Sequence, residues 1–167
     1  AGLPEVDEAV ELLDEFAELG LWLNAFKPGT VAQVKQVVKI ARAASHHTIF
    51  VHLEGGKAGG HHSWEDLDQL LLSTYHQIRQ EPNLVLCVGG GIATESRATD
   101  LITGRWARQY DQLDMPVDAI FLGTLAMACK EATTSPQVKK ALVNVAGTEQ
   151  WVFDGDEEGG VTSGKSS

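Results

Sequence analysis

Thr48-Ile49-Phe50-Val51-His52-Leu53-Glu54-Gly55-Gly56-Lys57-Ala58-Gly59-Gly60-His61-His62-Ser63 is the stretch that decides the fold. Its first six residues are rich in apolar and β-branched side chains, which reads as a buried strand. Four glycines within the six residues 55–60 then stop the strand and let the backbone approach something closely. An amphipathic run starts at Trp64. A plain strand-to-helix turn needs one glycine at most. The surplus, followed by two histidines, marks a ligand loop carrying an acid–base group, since imidazole titrates near neutral pH.

The same grammar repeats along the chain. Residues 5–19 read as a helix with Val6, Ala9, Val10, Leu13, Phe16 and Ala17 on one face. Residues 21–26 read as a short buried strand that ends at Lys27-Pro28-Gly29. Thr30 with Gln33 is a capping-box pattern opening a helix with Val31, Val34, Val37, Val38 and Ala41 on one stripe. Ser63 with Asp66 is a second such pattern, followed by Leu67, Leu70, Leu71, Tyr75 and Ile78. Residues 84–88 form the third strand and run into Gly89-Gly90-Gly91. The helix after it, 94–106, turns Ala98, Leu101, Ile102 and Trp106 inward, and residues 105–116 read as a polar connection. Residues 117–122 form the fourth strand, ending in Gly123-Thr124, with a helix on to about Ala132. Ser135-Pro136 opens the last helix, with Val138, Ala141, Leu142 and Val145 as its stripe.

Continuous apolar strands alternating with amphipathic helices mean a parallel sheet covered by helices. The fold class is therefore α/β, built of successive parallel βα units. An open doubly wound sheet fits this order, and so does half of an eight-stranded TIM barrel. Residues 1–152 form the βα unit region. Residues 153–167, rich in glycine and serine, read as a tail or linker.

In a parallel sheet all C-terminal strand ends point the same way. Lys27, the glycine–histidine loop, Gly89-Gly90-Gly91 and Gly123-Thr124 are expected to share one edge. The two glycine turns before helices suit a phosphate, which backbone N–H groups and helix N-termini attract. Lys27 is suited to stabilise negative charge on a bound ring system.

The formal charge of −10 disfavours nucleic acid and anionic membranes as partners. No run approaches the roughly 18 apolar residues of a spanning helix. Two cysteines, Cys87 and Cys129, both in apolar surroundings, fit a reducing, cytoplasmic setting better than a disulfide framework. No metal site is expected. His46, His47, His52 and His76 lie near His61 and His62 in sequence, but no cysteine pair, His-Glu-x-x-His run or other ligand spacing appears, and the adjacent His61 and His62 point in different directions.

The run from Leu53 to Asp66 resembles the signature of the FMN-dependent enoyl reductase domain of fungal- and actinobacterial-type multifunctional fatty acid synthases. The resemblance continues through 83–92, 115–127, 131–139 and 147–152. The shorter Ala58-Gly59-Gly60-His61 also resembles the wider class of FMN barrels, including nitronate monooxygenases. The resemblance implies a TIM barrel holding FMN, with this chain as its C-terminal half, NADPH as reductant, and a 2-enoyl thioester on acyl carrier protein as substrate. It implies other domains of a fatty acid synthase homo-oligomer as partners. Gly89, Gly90, Gly91, Gly123 and Thr124 would hold the FMN phosphate. Gly59 and Gly60 would pass close to the flavin, with Lys27 near its ring. His61 and His62 are the catalytic candidates, and His61 holds the place of the histidine shared by the wider class. Two alternatives stay open: a nitronate monooxygenase-like flavin oxidase, and a non-catalytic structural half barrel.

Overall fold

A computed structural model describes residues 3–58, 63 and 65–144. Its elements run α1 (Val6–Glu18), β1 (Asn24–Phe26), α2 (Val31–Ala43), β2 (Ile49–Glu54), α3 (Leu67–Arg79), β3 (Leu84–Gly89), α4 (Glu95–Thr103), a 3-10 helix (Arg105–Tyr110), β4 (Ala119–Phe121), α5 (Thr124–Ala128) and α6 (Pro136–Asn144). The four strands form one sheet in the order β1-β2-β3-β4, and every pair is parallel. A doubly wound sheet needs a reversal of strand order, and these four strands have none. Right-handed crossovers between sequential neighbours bring every connecting helix to the same side of the sheet.

Burial follows from that arrangement. Along β2, Ile49, Val51 and Leu53 are fully buried while Phe50, His52 and Glu54 are only half-buried. The buried set faces the helices, because successive strand side chains alternate between faces. It joins Val34, Val37 and Ile40 of α2, Leu71 and Ile78 of α3, and Leu86 and Val88 of β3 in one core. The opposite face carries Phe50, His52 and Glu54. By register it also carries Cys87 and Gly89 of β3, with Ala119 and Phe121 of β4.

Helix ends are fixed mostly as the sequence indicates. The Thr30 hydroxyl accepts from Gln33 N, and the Gln33 side chain accepts from Gly29 N rather than from the cap residue itself. For α3 the cap is Asp66, which accepts from Asp68 N and Gln69 N. Ser63, expected in that role, instead accepts from Glu65 N and donates to Gly29 O. It therefore fastens the loop after β2 to the loop after β1. α2 ends without a left-handed cap. Asn83, from the turn before β3, closes it by donating its side-chain amide to the carbonyls of Ala41, Ala44 and His47 at 3.0, 3.3 and 3.0 Å.

Several boundaries differ from expectation. The first strand is three residues long, not six, and Leu21, Trp22 and Leu23 are exposed. The amide of Leu21 is taken by Phe16 O at 2.8 Å, so this residue completes the end of α1 instead of pairing with β2. The helix expected over 94–106 stops at left-handed Gly104, and Ile102 faces outward. Residues 105–116 are not simply a polar connection. Trp106, Ala107 and Met115 are buried, and the Trp106 indole donates to Met115 O at 2.8 Å. β4 begins only at Ala119. Asp118 ahead of it donates its amide to Leu86 O at 2.9 Å, and its carboxylate accepts from Leu86 N at 2.7 Å and from the Arg79 guanidinium. The helix after Gly123 is five residues long rather than reaching Ala132. The stripe of α6 is not buried: Val138 and Ala141 are exposed and Leu142 is half-buried, while Val145 lies outside the described residues.

Candidate functional site

Because the four strands are parallel, their C-terminal ends form one edge of the sheet. Lys27 follows Phe26 of β1, Glu54 ends β2, Gly89 ends β3, and Phe121 ends β4 two residues before Gly123. The expected meeting of Lys27, the start of the glycine loop and the two glycine turns at one edge is therefore observed.

Lys27 alternates onto the face opposite the helices, as Glu54 does. There its ammonium forms an ion pair with Glu54 Oε2. The carboxylate is the more buried partner, its side chain 15% exposed against 40% for the lysine. A negative charge withdrawn from water needs such a partner.

His52 lies one pleat below Glu54 on the same face. Its ring stacks on Phe121 with centroids 4.4 Å apart. Its Nε2 is buried and has no hydrogen-bond partner among the described residues. Burial lowers the imidazole's affinity for protons below its ordinary value; the Glu54 carboxylate opposes that shift and Lys27 adds to it. A neutral imidazole with an unsatisfied nitrogen is costly unless something meets it. In the sequence His52 stands among other histidines with no ligand spacing, and that alone gives it no role. The signal was present in the alternation Phe50, His52, Glu54, which puts a histidine and an acid on the face away from the core.

The glycines divide into three kinds. A Cβ on Gly89 would lie 2.7 Å from His52 Nε2 and 3.3 Å from Phe121 Cβ, so this glycine makes room for the imidazole. Gly90 and Gly91 both have left-handed backbones, at φ +90° and +69°, and the space beside them is filled. A Cβ on Gly90 would meet Ala58 Cβ at 2.8 Å, and one on Gly91 would meet Lys57 Cβ at 3.0 Å. They allow the loop after β2 to pack on the loop after β3. Gly123, at the start of α5 with Thr124, is the open position, with nothing within 4 Å of a Cβ placed there.

Gly59, Gly60, His61 and His62 lie outside the described residues. The two feet of their loop do not. Gly56 N donates to Glu65 O at 2.9 Å, Ser63 N donates to Glu54 O at 3.3 Å, and the Ser63 hydroxyl reaches Gly29 O. Both ends are thus fastened at the strand edge that carries Lys27 and Glu54. No helix among the described residues is long and apolar enough to cross a membrane.

A family model described as "Fatty acid synthase subunit beta/Fas1-like, helical" matches residues 48–167. The fatty acid synthase beta subunit aflB of Emericella nidulans is 37% identical over 99% of this chain, which covers 8% of that protein. The fatty acid synthase beta subunit hexB of Dothistroma septosporum is 40% identical over 88% of the chain, again with 8% of its own length covered. The fatty acid synthase subunit beta of Saccharomyces cerevisiae is 35% identical over 90% of the chain and is covered over 7%. The chain thus spans less than a tenth of each of these relatives. With a family match over well more than half of its residues, the chain belongs to the fatty acid synthase subunit beta/Fas1-like helical family.

Proposed function

We propose that this chain is part of an FMN-dependent enoyl reductase domain that reduces 2-enoyl thioesters on acyl carrier protein with NADPH, in the cytoplasm. Its four βα units would form the C-terminal half of a TIM barrel, with residues 1–152 as that half and 153–167 as a linker to further domains of the synthase. The observation that carries the reading is the edge where Lys27, Glu54, His52, the glycine turns and both feet of the histidine loop come together. In barrels of this type the chemistry sits at the C-terminal strand edge.

The residues present fit a planar, phosphate-bearing cofactor in three respects. His52 Nε2 is a buried polar atom in need of a partner. The Phe121 ring, 53% exposed, offers an apolar surface beside it. Gly123 leaves room at the start of a helix, where backbone N–H groups favour an anion. Gly89, Gly90, Gly91, Gly123 and Thr124 would hold the phosphate, with Gly123 offering the open space. FMN, when bound, supplies the hydride chemistry, and the protein supplies position and charge. Lys27 would offset negative charge on the ring system, with Glu54 holding its ammonium in place. Gly59 and Gly60 would let the backbone pass close to the ring. His61 would deliver the proton to the α-carbon of the thioester, and His62 would order the loop.

The test belongs in an intact synthase subunit carrying this stretch. His61→Ala, with the flavin spectrum unchanged, is expected to lower enoyl reduction by about 10²-fold or more, the range for a positioned acid–base group. His62→Ala is expected to cost less. A colourless intact subunit that consumes no NADPH with a 2-enoyl thioester would overturn the reading.

A further inference from the structure

The turn between α2 and β2 lies at the N-terminal edge of the sheet, the end opposite the candidate site. Here His46 Nε2 is 2.9 Å from Asp14 Oδ1, and His47 Nε2 is 2.8 Å from the same oxygen. The three atoms all lie within 4.8 Å of one another. Adjacent histidines in a strand point to opposite faces. These two sit in a turn, and their rings lie side by side with centroids 4.2 Å apart.

We propose that Asp14, His46 and His47 bind a divalent transition-metal ion of the Zn2+ type, through Asp14 Oδ1 and the two Nε2 atoms, with the remaining coordination position open to water. Two imidazoles and one carboxylate suit Zn2+, Cu2+ or Ni2+, whereas Mg2+ and Ca2+ favour all-oxygen sites. A tetrahedral ion with bonds of about 2.0–2.2 Å holds its ligand atoms roughly 3.3–3.5 Å apart. Each histidine nitrogen therefore has to withdraw from the carboxylate by about half an ångström, and the two nitrogens, which lie within 4.8 Å of each other, have to settle at the same spacing to admit the ion.

The site is also held in place. Asp14 follows Leu13, whose side chain is locked in the core where α1 packs on α2. His47 is buried; its amide donates to Ala44 O at 2.9 Å and its carbonyl accepts from the Asn83 side chain at 3.0 Å. His46 and Asp14 are the open side, with side chains 61% and 52% exposed. Rigid ligands lose little freedom on binding, and the exposed pair gives the ion a way in. The proposal does not depend on the flavin reading, since it concerns the other end of the sheet.

Zn2+ itself, titrated into the purified chain in competition with a chromophoric chelator, tests it. His46→Ala and Asp14→Ala remove exposed groups and leave the core untouched. Each is expected to weaken Zn2+ binding by about 10-fold or more, while His76→Ala, on the exposed side of α3, leaves it unchanged. Zn2+ is also expected to raise the unfolding midpoint of the parent chain but not that of His46→Ala, because a ligand that binds only the folded state stabilises it. Equal affinity in the parent and both variants would overturn the site, as would no binding at about 100 μM free Zn2+.

Discussion

Residues 31–118 and residues 119–144 are written in the same alternation of apolar strand and amphipathic helix, and they end in opposite conditions. In the first region Val34, Ile40, Ile49, Leu53, Leu71, Ile78 and Leu86 are fully buried. In the second, α5 and α6 have no buried residue, and Phe121, Leu125, Met127, Val138 and Val143 are exposed. An amphipathic pattern states which side of an element must be covered; it does not state what covers it. The first region finds its cover in its own neighbours, because α2 and α3 each pack on strands that lie beside one another. β4 is an edge strand among the described residues and has a neighbour only in β3.

The difference can be broken first in the covered region. Leu86→Ala is expected to destabilise the chain by about 2–5 kcal/mol, measured by chemical denaturation, because it leaves a cavity between β3 and the helices. A cost below about 1 kcal/mol would mean that this core is not packed as described.

A smaller effect is expected on the face away from the core. The unfolded chain protonates His52 near the ordinary imidazole value of about 6.5. In the folded chain burial delays that protonation to lower pH. The unfolded state therefore gains more protons as the pH falls below about 6.5, and stability drops with it until the folded form protonates too. His52→Gln is expected to flatten that part of the stability profile relative to the parent chain. An unchanged slope would show that the imidazole is not withdrawn from water.

The smallest effect belongs to the uncovered region. Val143→Ala, at a side chain 78% exposed, is expected to change stability by less than about 0.5 kcal/mol. A loss comparable to that at Leu86 would show that α6 is packed in solution and would erase the contrast between the two regions.

Where the core decides the outcome, the sequence was legible. The strands at β2 and β3 were located to within a residue, and of the expected stripe Val34, Val37, Val38 and Ala41 are buried and Val31 is half-buried. Legibility failed where a side chain stands in for backbone. Asp118 occupies a bonding position on Leu86 N, so the fourth strand starts later than its apolar run. Ser63 looks like a helix cap, but its hydroxyl is used by Gly29, a residue 34 positions away. In the candidate site the shared edge followed from element order alone, and Lys27 was named. The partner of Lys27, Glu54, and the stacking of His52 on Phe121 were not, because the pairing of β1 with β2 joins the first two and the pairing of β2 with β3 and of β3 with β4 brings the rings together. The glycine triplet reads as a phosphate turn, but the local sequence does not show that Gly89 also leaves room for His52, or that Gly90 and Gly91 let the neighbouring loop pack against them. Those contacts depend on residues far apart in the chain and leave no local trace.

Asn83 bears on how this chain can be divided. The repeat visible in the sequence runs from strand to helix, which suggests cassettes that could be cut out, duplicated or permuted between one helix and the next strand. Yet α2 is finished by an amide that arrives a whole unit later. A fragment that stops before residue 83 keeps that helix and loses its closing donor. The unit of inheritance written in the sequence and the smallest piece that stands complete are therefore out of phase.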